Sequence, residues 1–210
     1  MSAFLTSLLI ILLVLLGLAA VIFGLRWLWH ARPRPCPTWL IGVLKNPFSQ
    51  RYRATVLERL ELSPGLSVLD AGCGPGLLTV PVAQAVGPQG RVTGLDIQDG
   101  MITQAKAAVE AAGLTNVSFL QAGLGEGRLP TEAFDRVVLV TVLGEIPDKA
   151  AALKEIRESL KPGGFLAVTE VFPDPDYQSR PRVRALAEAA GLRVRQVSGN
   201  WFLFTVKLEK

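Results

Sequence analysis

The chain has 210 residues, 22 basic against 18 acidic side chains, one histidine and two cysteines, with a mean hydropathy of +0.35. That length admits one ordinary domain and an appendage, and Cys36 and Cys73 are too few and too differently placed for a disulfide framework or a zinc site. The net charge of +4 is gathered at one end: Arg26, Arg32, Arg34, Lys45, Arg51 and Arg53 all precede the first acid, Glu58. The remainder is slightly acidic and offers no basic face with interleaved aromatics, so nucleic acid is not an expected partner.

From Ser2 to Leu25 there is no charged residue. At about 1.5 Å per residue such a helix crosses a hydrocarbon core of about 30 Å, and Trp27 and Trp29 stand where an interfacial belt would lie. A cleaved signal peptide would start with a basic residue and end at a small-residue cleavage site, and a core helix would carry one apolar stripe; neither pattern is present. Residues 1–30 therefore read as a single-pass transmembrane anchor. The basic residues after it place the following domain on the cytoplasmic side of the membrane. They serve either as that topology signal alone or as a contact for anionic headgroups.

The run Arg32-Pro33-Arg34-Pro35-Cys36-Pro37 cannot form a regular helix, because proline removes donors and fixes φ, and it reads as a short stiff linker. The only histidine, His30, precedes it. Residues 39–48 are largely apolar and are expected to complete an acceptor pocket, while Asn46 to Leu62 reads as a helix with Val56, Leu57 and Leu60 on its packing face. Tyr52 on this helix can close over a ligand or simply pack. Residues 31–60 thus form a linker and helix ahead of a domain over 61–210.

That domain opens with Val68-Leu69-Asp70, an apolar strand ending in an acid, followed by Ala71-Gly72-Cys73-Gly74-Pro75-Gly76. Glycines at alternate positions suit a turn in which backbone approaches a ligand closely. A dinucleotide fingerprint needs G-x-G-x-x-G, but Leu77 stands where the third glycine belongs, so a nicotinamide-dependent enzyme is disfavoured. A second strand, Arg91 to Asp96, ends in an acid about twenty residues after the loop, placed to accept hydrogen bonds from ribose hydroxyls. A third covers residues 117–122 and a fourth runs from Phe134 to Val142, into the turn Leu143-Gly144-Glu145-Ile146-Pro147 and a helix from Asp148. Leu160-Lys161-Pro162-Gly163-Gly164-Phe165 leads to a fifth strand ending at Glu170. The loop Phe172 to Tyr177, a helix from Arg180 to Ala190, and two strands, Leu192 to Val197 and Trp201 to Leu208, joined through Ser198-Gly199-Asn200, complete the chain.

The arrangement D-x-G-x-G-x-G at Asp70, together with FDRVVLVTVLGEIPD and LKPGGFLAVTE in that order, resembles class I S-adenosylmethionine-dependent methyltransferases, and in particular the domain found in ubiquinone and menaquinone biosynthesis. The resemblance covers residues 50 to 210 and implies a Rossmann-like, doubly wound α/β fold with a seven-stranded sheet ordered 3-2-1-4-5-7-6, the last strand antiparallel. It implies S-adenosylmethionine as cofactor. The loop Gly72, Cys73, Gly74 and Gly76 would pass under the methionine portion, with Asp70 near its amino group, Asp96 on the ribose, and Ile97 and Met101 beside the adenine. Met101 is equally well explained as a core residue. Relatives carry an acid just after the third strand; here Gly123 and Leu124 stand instead, so the adenine would be met by backbone. Val140 would line the same cleft.

Methyl transfer from a sulfonium is an in-line displacement in which positioning supplies much of the rate. Among side chains able to take a proton from an acceptor, Glu145 just beyond the fourth strand is the candidate, as a base, an amine-binding acid, or a merely solvated residue. Asp174, Asp176 and Tyr177 can line the acceptor pocket. No His and Cys cluster suggests a metal. The reading is a membrane-anchored methyltransferase with a small or lipid-like acceptor, the alternative being a noncatalytic binding module of the same fold.

Overall fold

A computed structural model describes residues 2–30, 36 and 47–210, with side chains described for residues 6–22, 24, 36 and 49–210. The chain divides into two compact units, Met1–Pro33 and Arg34–Lys210. The first contains α1, Ser2–His30, whose described side chains from Thr6 to Ile22 are exposed and mostly apolar. Among the described residues no helix is long and apolar enough to cross a membrane. The expected single-pass anchor, and the membrane location with a cytoplasmic domain built on it, are corrected accordingly. The side chains of Trp27, Trp29 and His30, the proline linker except Cys36, and the segment from Trp39 to Asn46 lie outside the described residues.

The second unit begins, among its described elements, with α2, Pro47–Arg59, followed by β1 Ser67–Ala71, α3 Thr79–Val86, β2 Arg91–Asp96, α4 Asp99–Ala111, β3 Val117–Gln121 and β4 Phe134–Val140. It closes with α5 Lys149–Ser159, β5 Leu160–Val171, α6 Arg180–Ala189, β6 Arg193–Gly199 and β7 Leu203–Glu209. The seven strands form one sheet in the expected order β3-β2-β1-β4-β5-β7-β6. The first five pair in parallel, and β7 runs antiparallel to both β5 and β6.

Near-continuous apolar strands are what a sheet covered on both faces requires. On one face α2 and α3 close over Val68, Val92, Val138, Phe165 and Ala167 through Val56, Leu60, Val82 and Val86. On the other, α5 and α6 bring Leu153, Ile156, Val183 and Ala187 against Leu69, Leu139, Leu166 and Phe204. Each fully buried aliphatic side chain of this kind contributes about 1.5–3 kcal/mol.

Two boundaries differ from expectation for physical reasons. β5 starts at Leu160 instead of Leu166, because Pro162-Gly163-Gly164 forms an irregularity within the strand: Phe134 pairs Leu160, and regular pairing resumes at Arg136 with Phe165. β4 stops at Val140, because Thr141 takes a left-handed conformation at φ 55° while its N–H still bonds Thr169 O at 2.9 Å. A β-branched residue there is a strained position, of a kind concentrated at functional sites.

Candidate active site

The strand order reverses between β1 and β4, and in open α/β sheets ligands bind in the crevice beyond the carboxyl ends of strands at that point. Asp70 stands at the carboxyl end of β1 there, and the glycine loop follows it. The loop is tied down by its backbone: Gly72 and Cys73 both donate to Leu95 O, at 2.7 and 2.9 Å, and Gly74 donates to Asp96 Oδ2 at 2.9 Å. Gln98 donates to the other oxygen, Asp96 Oδ1, also at 2.9 Å. Asp96 is thereby fixed in orientation by two backbone donors. Burial raises its pKa, and the backbone hydrogen bonds offset only part of that rise.

The glycines do different things. A Cβ on Gly72 would strike the Val142 side chain arriving from the strained turn after β4, and one on Gly76 would come within 3.1 Å of Ala105 Cα on α4. Gly74, at φ 51°, faces nothing within 4 Å. Packing therefore demands glycine at 72 and 76, while 74 is where the loop opens to space that a ligand can occupy.

Asp70 is 3 % exposed and accepts a 2.6 Å hydrogen bond from Thr79 Oγ1 at the start of α3. Burial pushes its pKa up to about 6, the Thr79 bond opposes this and the Asp96 charge adds to it. Cys73 is buried beside these acids, and burial holds its thiol far above the usual range. Ile97 is 55 % exposed, an isolated apolar side chain next to Asp96. Met101 is 2 % exposed and belongs to the core side of α4. Leu124 packs against the α5 and α6 core and Val140 against the α2 and α3 core. A Cβ on Gly123 would lie 2.6 Å from Glu126 Oε1, so a carboxylate three residues on reaches over that position.

Glu145 follows the turn after β4. Its Oε2 accepts from the Cys36 N–H at 3.2 Å, and Gln98 Nε2 donates to Cys36 O at 2.9 Å, so one described residue of the N-terminal segment joins the ribose-side turn to the β4 end. Burial pushes Glu145 up to about 8; the Cys36 bond opposes this, and Asp174, Asp176 and Asp96 add to it. Tyr52 packs on the core formed with α2 and α3, and burial raises its phenol. The Tyr177 hydroxyl donates to Trp201 O at 2.9 Å. Sequence reasoning missed Thr79, Gln98, Val142 and Glu126, whose roles depend on contacts made far along the chain. It also passed over Glu170, although a carboxylate at the carboxyl end of β5 was a readable signal.

The family described as "Methyltransferase domain" matches residues 62–194. This chain belongs to that family. It is 34% identical over 120 residues to the demethylmenaquinone methyltransferase of Geobacillus stearothermophilus, covering 57% of this chain and 51% of that protein, so the chain spans about half the length of that relative. With the demethylmenaquinone methyltransferase of Listeria welshimeri it shares 33% identity over 166 residues, 79% of this chain and 69% of that protein. The crystal structure of a SAM dependent methyltransferase from Aquifex aeolicus superposes with a TM-score of 0.76 at 27% identity, covering 82% of this chain and 98% of that one. The domain is thus a class I S-adenosylmethionine-dependent methyltransferase domain, with S-adenosylmethionine as its cofactor. Its residues fit that group: open space over Gly74, a carboxylate at Asp96 held by backbone donors, and an exposed aliphatic face at Ile97 beside it.

Proposed function

We propose that the chain transfers the sulfonium methyl of S-adenosylmethionine to a small, hydroxyl-bearing acceptor of quinol-like or lipidic character. The observation that carries this reading is the open face of the loop at Gly74, which lies between the acids after β1 and β2 and belongs to the same crevice as Glu145. The quinol-like acceptor is supported by the two relatives, both demethylmenaquinone methyltransferases.

When bound, the cofactor supplies a methyl group already attached to a good leaving group. Asp96 holds the ribose hydroxyls, and Ile97 packs on the adenine. Glu126 receives the adenine amino group, in place of the acid that Gly123 lacks. Asp70, buried under the loop, stabilises the ammonium group by its charge, without direct contact, while Thr79 keeps its carboxylate in place. Met101, Leu124 and Val140 shape the cleft from behind as packing residues. Glu145 takes the proton that the acceptor gives up, and the backbone of Cys36 keeps that carboxyl facing the crevice.

Incubation of the purified chain with methyl donor and reduced demethylmenaquinone tests this directly. A product heavier by one methyl group, lost in Asp96→Ala, is the expected result. Cofactor binding with no methylation of reduced demethylmenaquinone would refute the quinol acceptor, and an untargeted search for methylated masses in cell extract would then identify another.

A further inference from the structure

The turn after β4 and the loop after β5 are pressed together. A Cβ on Gly144 would run into the backbone of Asp176, and Lys149 Nζ staples the turn by donating to Gly144 O at 3.0 Å and Ile146 O at 2.7 Å. Gln178 continues the link: its side chain donates to Asp176 O at 2.8 Å and its N–H to Glu170 Oε2 at 3.1 Å. The chain from Glu145 through Asp176 to Glu170 is therefore continuous. Glu170 is 1 % exposed at the end of β5, yet its Oε1 has no hydrogen-bond partner among the described residues. A buried carboxyl oxygen without a donor is costly, and such groups call for a functional explanation. Among the described residues no group of acids here converges as a metal-ligating set.

We propose that Glu170 is the second member, with Glu145, of a proton-accepting carboxyl pair on the acceptor side of the crevice, ionised by the arrival of the positively charged cofactor. This rests on the methyl-transfer reading above. Burial and the charges of Asp174, Asp176 and Glu145 push Glu170 up to about 8, the same level as Glu145, so both are largely neutral in the empty site at neutral pH. Asp96 acts electrostatically on Glu145, which places the cofactor side within reach of the pair. A sulfonium nearby favours the charged form of a carboxyl. The pair then takes up the released proton: the acceptor's nucleophilic atom bonds to the methyl carbon, the carbon–sulfur bond breaks with its electron pair left on sulfur, and the acceptor's proton passes to Glu145, with Glu170 sharing the charge. Once the product is a neutral thioether, the pair returns to its protonated state.

Cys36 from the N-terminal segment, Asp96 from β2, Lys149 from α5, and Asp174, Asp176 and Tyr177 from the β5 loop interact electrostatically with Glu145 or Glu170. Behind them, Tyr52 from α2 interacts with Asp174, and Arg180 and Arg182 from α6 interact with Tyr177 and Lys149. Lys149 is committed to two carbonyls, which leaves the cofactor as the variable positive charge.

The test needs no acceptor. Calorimetry in buffers of different ionisation enthalpy at about pH 7.5 counts the protons released when S-adenosylmethionine or S-adenosylhomocysteine binds. The two ligands share ribose and ammonium and differ in the sulfonium charge, so contributions of Asp70 and Asp96 common to both largely cancel. The wild-type chain is expected to release more protons with the sulfonium ligand. Glu145→Gln and Glu170→Gln should each lose roughly half of that difference, with S-adenosylhomocysteine affinity changed less than about twofold. Equal release with both ligands in the wild type, or an unchanged difference in Glu170→Gln, overturns the pair. If Glu170→Gln does not fold, the wild-type and Glu145→Gln arms still decide whether the site responds to the sulfonium. A normal release difference without methylation of reduced demethylmenaquinone would instead count against the acceptor reading alone.

Discussion

The two halves of the crevice treat their acids in opposite ways. On the β1 and β2 side, Asp96 receives backbone donors on both oxygens and Asp70 receives the Thr79 hydroxyl, so each carboxylate is anchored before any ligand arrives. On the β4 and β5 side, Glu145, Glu170, Asp174 and Asp176 crowd together, and Glu170 Oε1 is left without a donor among the described residues. On the proposed reading, the first half holds the cofactor and the second keeps protons that chemistry can move. A preformed site costs little reorganisation on binding, and a carboxyl near neutrality is suited to general-base work at ordinary pH.

The sharpest way to break the comparison is at Gly72, where the two halves touch. Gly72→Ala puts a methyl against Val142 at a positive φ and should destabilise the domain by about 2–3 kcal/mol, read as a loss in denaturant midpoint. Gly74→Ala, in open space, should cost only about 1 kcal/mol of stability while still weakening the cofactor. Equal destabilisation by both would mean that the loop does not separate packing glycines from ligand-facing ones.

Next in size is Asp96→Ala, which removes the acceptor for Gly74 and Gln98 together. Cofactor affinity should fall at least about tenfold, since the ribose hydroxyls lose the acceptor proposed for them, a loss of roughly 1–3 kcal/mol. Unchanged affinity with an intact circular dichroism spectrum would show that the ribose is held elsewhere.

The remaining prediction concerns the acceptor half. Glu170 has a folded pKa of about 8 against an ordinary 4.5, so the native state binds the proton more tightly than the unfolded chain. Stability from this group is fully present below about pH 4.5 and declines as pH rises towards 8. Melting temperature followed across that window should fall with pH in the wild type and less in Glu170→Gln; parallel curves would remove Glu170 from the account.

The strand ends and the loop of the β1 and β2 half were largely legible in the sequence because their signals are local. Asp70, the three glycines and Asp96 each sit at a strand end within a short motif, and the family resemblance implied the sheet order that the structure has. Thr79 and Gln98 escaped notice because their partners are set by how helices and strands dock, not by spacing. Glu126 reaching over Gly123 was hidden for the same reason. At β5 the sequence misled in a simple way: Pro162-Gly163-Gly164 reads as a turn, but here it is an irregularity inside a longer strand. The N-terminal reading is overturned because, among the described residues, no helix is long and apolar enough to cross a membrane.

The central claim is that the crevice above Gly74 is the cofactor site. A crystal structure of the chain with S-adenosylhomocysteine tests it most directly. The account predicts the ribose hydroxyls on the Asp96 carboxylate, the loop of residues 72–76 beneath the ligand, and its sulfur facing Glu145. A ligand bound elsewhere, or a crevice closed by side chains while the ligand saturates another site, would contradict it.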